Sequence, residues 1–291
     1  MEVNKEDFLK DDKVKEFIKF IAAKWESGLD FEVGIKHKGK KAIYKYTTNL
    51  KEVFETYSWQ YSINTELEIP YGIEKTGFTL MDSEKVLDFS KSKLLVNGKI
   101  NPNLIDLKDA TEITLKWGGV FTKGNKNKVT DISYDLKKDY EEVLKKWKEI
   151  NDNNSVFSPK DNLEFTSNAG FTKIYSLLLS DFVIYDSRVS VALAYLIEIC
   201  FGEAIPEILR IYIPDSQVAD KTKRQVNTAF KSTYQKDSKH FYSNVISSIL
   251  LKQTLKLINE NDTSVKLRDL EAALFMIGYD IRANELKKNN L

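Results

Sequence analysis

The stretch FVIYDSRVSVALAYLIEICFG, residues 182–202, decides how this chain folds, because it is the least polar segment of the sequence. Beyond Val189 only Ser190 interrupts the apolar residues before Glu198, and this pattern predicts a helix buried on all sides. A charged pair, Asp186 and Arg188, stands at its entrance. We expect Asp186 to cap the helix by accepting backbone N–H groups, which fixes the direction of its carboxylate and keeps it ionised.

The composition is that of a globular protein with a substantial core. The chain has 291 residues, of which 42% are hydrophobic and 12% aromatic. Its 44 Lys and Arg nearly balance its 43 Asp and Glu, and a net charge of +1 neither requires nor excludes a nucleic-acid partner, because a local patch is enough to bind one.

Several classes of protein are disfavoured by what the sequence lacks. Cys200 is the single cysteine, so a disulfide framework within the chain is impossible, and two isolated histidines make a metal site improbable. No phosphate-loop or dinucleotide signature is present, and we expect no cofactor. The charged start of the chain and the absence of a long uncharged apolar run indicate a cytoplasmic protein without a membrane partner.

The downstream half of the sequence is helical in pattern, whereas the upstream half is mixed. Helical spacing marks residues 171–179, 187–201, 223–234, 238–259 and 266–281, which predict a helical bundle around one buried helix. Upstream, the pattern predicts helices at residues 11–25, 49–62 and 133–151 and a hairpin at 31–48. Residues 63–130 have a short, irregular pattern with an Asn-Gly turn.

A polar, turn-rich segment at residues 151–168 separates these two patterns. We therefore expect a mainly α, two-lobed protein. Residues 1–155 form a mixed α/β N-terminal lobe, and residues 156–291 form a C-terminal helical bundle.

Lys173 lies on the helix that precedes the buried one, thirteen residues upstream of Asp186. If the two helices fold back on each other, the Lys173 ammonium approaches the Asp186 carboxylate. A lysine in a partly dry pocket can lose its proton and attack a carbon centre as a nucleophile. The same two residues also fit a simpler interpretation, in which Asp186 is only a cap and Lys173 only a surface charge.

This layout resembles the helix-hairpin-helix DNA glycosylases, especially the 8-oxoguanine glycosylase branch. The resemblance rests on Ala169-Gly170-Phe171-Thr172-Lys173 and on Val183-Ile184-Tyr185-Asp186-Ser187-Arg188-Val189, and it covers about 25 of the 291 residues. It implies that Lys173 attacks the sugar C1′ and that Asp186 assists base loss and stabilises the positively charged sugar. It further implies that N–H groups around Gly170 and Thr172 hold a DNA phosphate, with Arg188 as a further phosphate contact.

Two basic clusters without acids strengthen the expectation of a DNA partner. One is KHKGKK, residues 36–41, and the other is KWGGVFTKGNKNK, residues 116–128. We expect the second cluster to form a loop in which Trp117 stacks or wedges against bases. Phosphate contacts are expected from the lysines of this loop, Lys116, Lys123, Lys126 and Lys128. Phe171 and Tyr175 are further aromatic candidates for the base pocket.

The sequence leaves other functions open. One alternative is a non-catalytic nucleic-acid-binding protein, which the Lys173–Asp186 spacing favours because it is shorter than in the glycosylase family. Another alternative is a protein-interaction component. A bacterial defence system is a context that would suit either. The enzyme hypothesis requires the Lys173 amine and the Asp186 carboxylate to share one concave pocket.

Overall fold

The computed structural model describes residues 1–35, 40–213, 224 and 237–281, and these form a mainly α-helical fold. The helices are α1 (Lys5–Lys10), α2 (Asp12–Lys24), α3 (Leu50–Glu55), α4 (Leu80–Leu94), α5 (Leu104–Trp117), α6 (Lys123–Thr130), α7 (Leu136–Asn151), α8 (Phe171–Leu178), α9 (Ser187–Phe201), α10 (Glu207–Tyr212), α11 (Asp237–Ile258) and α12 (Leu267–Ile277). The strands are β1 (Phe31–Ile35), β2 (Ile43–Thr47), β3 (Tyr61–Ser62), β4 (Thr76–Gly77), β5 (Leu95–Val96) and β6 (Lys99–Ile100).

The strands pair into three separate two-stranded antiparallel sheets. In the first, Phe31 lies opposite Thr47 and Ile35 opposite Ile43, which confirms the hairpin predicted at residues 31–48. Residues 36–39, part of the first basic cluster, lie outside the described residues. The predicted Asn-Gly turn is also confirmed: Asn97 and Gly98 have φ of 52° and 72° between β5 and β6, the left-handed values that a tight hairpin turn requires.

Helix α9 is the buried helix predicted from the opening stretch. Its residues from Val189 to Ile197 are all buried, and Asp186 is its N-cap. Helices α12 and α2 pack against it, and the 22-residue helix α11 packs in turn against α2 and α12. The predicted helices at 171–179, 238–259 and 266–281 correspond to α8, α11 and α12, whereas residues 223–234 lie outside the described residues except for Arg224.

Residues 63–130 are more regular than the sequence pattern indicated. This region holds α4 and α5, which are antiparallel neighbours, and Thr79 and Asp82 form a reciprocal capping box that starts α4. The second basic cluster is likewise not a single loop. Trp117 ends α5, Gly118 and Gly119 make the turn, and Lys123 begins α6. Ser, Asp and Lys residues are interspersed along α4, so its apolar side was not evident from the sequence. In the structure α4 packs against α5.

The two-lobed arrangement is not confirmed. Helix α2 packs on α11, α3 packs on α12, and α8 packs on α4 and α5, so the two sequence halves share contacts on several sides. One hydrophobic core runs through residues of both halves. The helices in the described ranges include none with both the length and the apolar character needed to cross a membrane.

Candidate active site

The structure brings Lys173 and Asp186 together. Lys173 Nζ lies 3.2 Å from Asp186 Oδ2 and donates a second hydrogen bond, of 3.0 Å, to the carbonyl oxygen of Ala169. The Lys173 side chain is only 4% exposed and that of Asp186 is 14% exposed. The pair is therefore almost dry, with Asp186 as the more accessible member.

Local structure explains how the two residues meet. Lys173 lies in the first turn of α8, and after α8 ends the chain turns at Asp181 and returns in extended conformation to Asp186. Asp186 Oδ1 accepts from the backbone N–H groups of Arg188 at 2.9 Å and Val189 at 3.2 Å, which caps α9. The cap occupies one carboxylate oxygen and leaves Oδ2 for the Lys173 ammonium.

The environment of Asp186 favours its ionised form. Burial alone would raise the pKa of this carboxyl, but the Lys173 and Arg188 charges and the two backbone N–H bonds outweigh burial and hold the pKa below its usual value. Asp186 is thus a fixed negative charge at neutral pH, suited to stabilise a neighbouring positive charge.

A glycine leaves room for the lysine. The Cδ and Cε atoms of Lys173 cross directly over Gly118, and a Cβ at position 118 would lie 2.5 Å from Lys173 Cε. Gly118 has φ of −74°, a value open to any residue, so its role here is to provide space rather than backbone freedom.

We expect Gly118→Ala to move the Lys173 amine away from Asp186, because the methyl group and the lysine stem cannot occupy the same space. The variant should remain folded but lose at least half of any activity that depends on the amine. Gly124→Ala is the matched control, since a Cβ there meets nothing within 4 Å. Equal activities of the two variants would show that the lysine has another route to the pocket.

The pair lies at the wall of a partly open pocket. One side is formed by residues 57–118 and the other by residues 173–275. The lining residues are Tyr57, Trp59, Leu80, Ser83, Glu84, Leu87, Trp117, Gly118, Lys173, Ile184, Asp186, Val189, Arg268, Glu271, Ala272 and Phe275. Apolar and aromatic walls with a few convergent charged groups are typical of small-molecule and nucleobase sites.

A second ion pair lines the same pocket. Glu271 accepts from Arg268 Nη1 through Oε1 and from the backbone N–H of Ile184, at 2.7 Å, through Oε2. Burial raises the pKa of this carboxyl above its usual value, although the Arg268 charge opposes the shift. Glu271 also ties α12 to the extended segment that carries Asp186, and it therefore helps to hold that segment in place.

His240 is close enough to the Lys173–Asp186 pair for both charges to affect its pKa. Its Nδ1 is hydrogen-bonded to Ser167 Oγ at 3.0 Å, and its ring meets that of Tyr185 edge-on. Burial lowers the pKa of His240 to about 4, and the Lys173 charge acts in the same direction. His240 is therefore neutral at physiological pH and adds no charge to the site.

Arg188 is not available as the surface phosphate contact that the resemblance implied. Its guanidinium carbon lies 4.2 Å from the ring centroid of Phe275, 5.0 Å from that of Trp59 and 5.1 Å from that of Tyr279. Burial among these rings lowers the pKa of Arg188 to about 10, helped by the nearby Arg224 charge. Arg188 supports the aromatic wall of the pocket from behind.

Gly170 and Thr172 are also not placed to bind a DNA phosphate as expected. The backbone N–H groups of Gly170 and Phe171 already donate to Asn168 Oδ1, at 2.8 and 3.2 Å, and Gly170 packs against Asn125 and Leu115. Thr172 is fully buried, and its hydroxyl contacts the carbonyl oxygens of Ala169 and Tyr185. These residues shape the start of α8.

The basic residues of the second cluster differ in accessibility. Lys123 and Lys126 are exposed on α6. Lys116 is paired with Glu112 at 2.8 Å, and Lys128 lies over the ring of Tyr134 at 4.5 Å. Phosphate contacts are therefore open at Lys123 and Lys126 and restricted at Lys116 and Lys128.

The aromatic candidates are corrected in part. Trp117 is 5% exposed and lines the pocket as a wall, so it is not an exposed wedge. Phe171 and Tyr175 are fully buried, outside the pocket lining, and the Tyr175 hydroxyl donates to the carbonyl oxygen of Thr166.

Several pocket residues were missed by the sequence analysis, chiefly Tyr57, Trp59, Glu84, Arg268 and Glu271. One of them had a readable signal. Leu270, Leu274 and Ile277 recur at helical spacing, and Glu271 is a charged residue beside this apolar stripe of α12. Arg268 lies three residues before Glu271 on the same helix, whereas Tyr57, Trp59 and Glu84 are remote in sequence and reach the pocket only through tertiary packing.

No family model, curated protein or solved structure matches this chain. Within the described ranges, no three His, Cys, Asp or Glu side chains come together as a metal site would require. The functional assignment therefore depends on the geometry of the pocket and on the sequence resemblance.

Proposed function

We propose that this protein is a DNA glycosylase that removes a damaged or modified base, with Lys173 as the nucleophile and Asp186 as its charged partner. The observation that carries the proposal is the 3.2 Å contact between Lys173 Nζ and Asp186 Oδ2 at the wall of an aromatic pocket. A lysine that served only as a surface charge would be solvated, whereas this one is 4% exposed.

The chemistry needs the amine in its neutral form. Lys173 first releases a proton to solvent, and its lone pair then forms a bond to the sugar C1′. The C1′–N bond to the base breaks, and its electron pair leaves with the base, which takes up a proton from water. As positive charge develops on the sugar, the Asp186 carboxylate stabilises it.

A covalent intermediate then follows from the same amine. The C1′–O4′ bond opens, O4′ takes a proton, and the nitrogen loses one, which leaves a C1′=N double bond between the sugar and Lys173. Borohydride delivers hydride to C1′ of this imine and converts it to a stable amine. The protein and the DNA are then joined by a bond that survives denaturation.

DNA access also has structural support. The exposed residues Lys123 and Lys126 begin α6 shortly after the pocket residues Trp117 and Gly118. They can contact phosphates near the mouth while an extruded nucleotide enters the pocket, and extrusion costs a few kcal/mol that such contacts repay.

The test is borohydride trapping of the full chain on duplexes that carry different damaged or modified bases, analysed on denaturing gels. We expect a shifted protein–DNA band on at least one substrate and free base in the supernatant. Binding that weakens steeply with salt, but with neither base release nor adduct on any substrate, would instead identify a non-catalytic DNA-binding protein. No binding at all would favour a protein-interaction role.

A further inference from the structure

Two asparagine side chains join the start of α6 to the start of α8. Asn125, in the first turn of α6, donates through Nδ2 to the carbonyl oxygen of Val120 at 2.9 Å. Its Oδ1 accepts from Asn168 Nδ2 at 3.1 Å. Asn168 Oδ1 in turn accepts from the backbone N–H groups of Gly170 and Phe171, at 2.8 and 3.2 Å. We call this connection the Asn125–Asn168 strap.

The direction of each hydrogen bond in the strap is fixed. The Val120 carbonyl can only accept, and the two backbone N–H groups at the start of α8 can only donate. Asn125 must therefore present its oxygen to Asn168, and Asn168 must present its nitrogen. An aspartate at either position would lack an N–H group that the strap requires. Asn125 is 8% exposed, so water competes little for its bonds.

The strap ends where the amine of Lys173 is held. Ala169 lies between Asn168 and Gly170, and its carbonyl oxygen accepts from Lys173 Nζ at 3.0 Å, beside the 3.2 Å contact of the amine with Asp186. Because the residues on both sides of Ala169 are held, the direction of this carbonyl is restricted. Neither asparagine lines the pocket, so the strap would act on the reaction through the lysine.

The other end of the strap lies among the lysines that are open to DNA. Lys123 and Lys126 are exposed and flank Asn125 on the first turn of α6. The turn that precedes α6 contains Gly118, over which the Lys173 stem crosses. The short segment of residues 118–126 therefore carries the open lysines on its outside and borders the Lys173 side chain on its inside.

We propose that Asn125 and Asn168 are positioning residues that transmit the placement of α6 to the Lys173 amine and keep it aligned with Asp186. This inference rests on the glycosylase function proposed above and names further residues of the same site. When phosphates engage the two exposed lysines, α6 is held against the DNA, and the strap holds the amine at a fixed position relative to that contact. Attack on C1′ requires such alignment.

Asn168→Asp and Asn168→Ser break the strap and keep the start of α8. Both retain an oxygen for the two backbone N–H groups, since aspartate and serine are as good as asparagine at a helix start. Aspartate turns an oxygen toward the oxygen of Asn125, and serine is too short to reach it. Asn127→Asp is the matched control, because Asn127 is exposed on the same helix as Asn125 and receives the same added charge.

The first measurement on the full chain needs no DNA. Formaldehyde and cyanoborohydride methylate accessible amines, and mass spectrometry quantifies methylation of Lys173 relative to the exposed Lys123. We expect Lys173 to react slowly in the wild type, where its side chain is 4% exposed and its amine is held by two acceptors. It should react several-fold faster in both Asn168 variants and at the wild-type rate in Asn127→Asp.

The second measurement is the single-turnover rate of adduct formation, by borohydride quenching at successive times, on a duplex that the wild type cross-links. Both Asn168 variants should form the adduct about tenfold more slowly, because a small displacement of a reacting group is costly. Their DNA affinity and melting temperature should stay close to those of the wild type. A residue that only stabilised the fold would lower the melting temperature without this split between rate and affinity.

The outcomes separate the two proposals. Wild-type methylation of Lys173 in both Asn168 variants, or adduct formation at an unchanged rate, would overturn the inference and leave the glycosylase function standing. A slower rate shared by Asn168→Asp and Asn127→Asp but absent in Asn168→Ser would reflect added charge and would also overturn it. Faster methylation in both Asn168 variants, without an adduct from the wild type on any duplex, would support the strap and contradict the glycosylase function.

Discussion

Replacing Lys173 by methionine and Asp186 by asparagine together should abolish the borohydride adduct and leave the fold intact. Methionine approximates the lysine stem that crosses Gly118 but has no amine. Asparagine retains the side-chain oxygen that caps α9, and it is as good an N-cap as aspartate. The double variant therefore removes both members of the Lys173–Asp186 pair together, and a melting temperature close to that of the wild type would show that the loss of the adduct reports on chemistry and not on unfolding.

The single variants clarify the result. Lys173→Met alone leaves the Asp186 carboxylate without its main partner, and removing one member of a buried pair costs about 3–5 kcal/mol. Its loss of activity would be ambiguous without the double variant, whose melting temperature should lie closer to that of the wild type. An adduct that persists in the double variant would mean that a different amine attacks the sugar.

Asp186→Ala should be the most destabilising single change at the site. It removes the N-cap of α9, which is worth about 1 kcal/mol, and it leaves the Lys173 ammonium almost dry without a counter-charge. We expect a loss of about 3–5 kcal/mol in the free energy of unfolding, measured by urea denaturation. Asp181→Asn is the control: its carboxylate, 43% exposed and paired with Lys252, should contribute less than about 1 kcal/mol, and asparagine tolerates the left-handed backbone at this turn, where φ is 57°.

The pH dependence gives an independent check on Asp186. Its pKa is lower in the folded protein than in the unfolded chain, so it stabilises the fold above the unfolded pKa, and this contribution is lost as pH falls through the folded value. Wild-type stability should therefore decrease more steeply in acid than that of Asp186→Asn, because asparagine does not titrate. Parallel acid profiles would show that the carboxylate contributes no net stability.

The aromatic wall links the opening stretch of the sequence to the pocket. Arg188 stands in the first turn of α9 and stacks against Trp59 and Phe275, whose other surfaces line the pocket. The close packing of Gly278 against the Arg188 carbonyl brings the end of α12 next to this turn. The helix start that presents Asp186 is thus held from two sides, which restricts the direction of its carboxylate.

Local sequence was enough to predict much of the secondary structure and the core of the site. The apolar run after Asp186 specified a buried helix, the aspartate specified its cap, and Asn97-Gly98 specified a hairpin turn, because each depends on neighbours in the chain. The pairing of Lys173 with Asp186 was expected only if the two helices folded back on each other, and the structure meets that condition. Helices α4 and α5 were missed, since turn-forming residues in this region obscured a weak apolar pattern.

Only the tertiary structure decided what surrounds the pair. Tyr57, Trp59 and Glu84 come from one half of the sequence, and Arg268, Glu271 and Phe275 come from the other, so no local pattern could place them in one pocket. Tertiary packing also buried Gly170 and Thr172 and stacked Arg188 against aromatic rings, although sequence reasoning had assigned all three to DNA contacts. Caps, turns and helix periods arise from contacts between near neighbours, whereas a pocket and its charge balance arise from contacts between residues far apart in the chain.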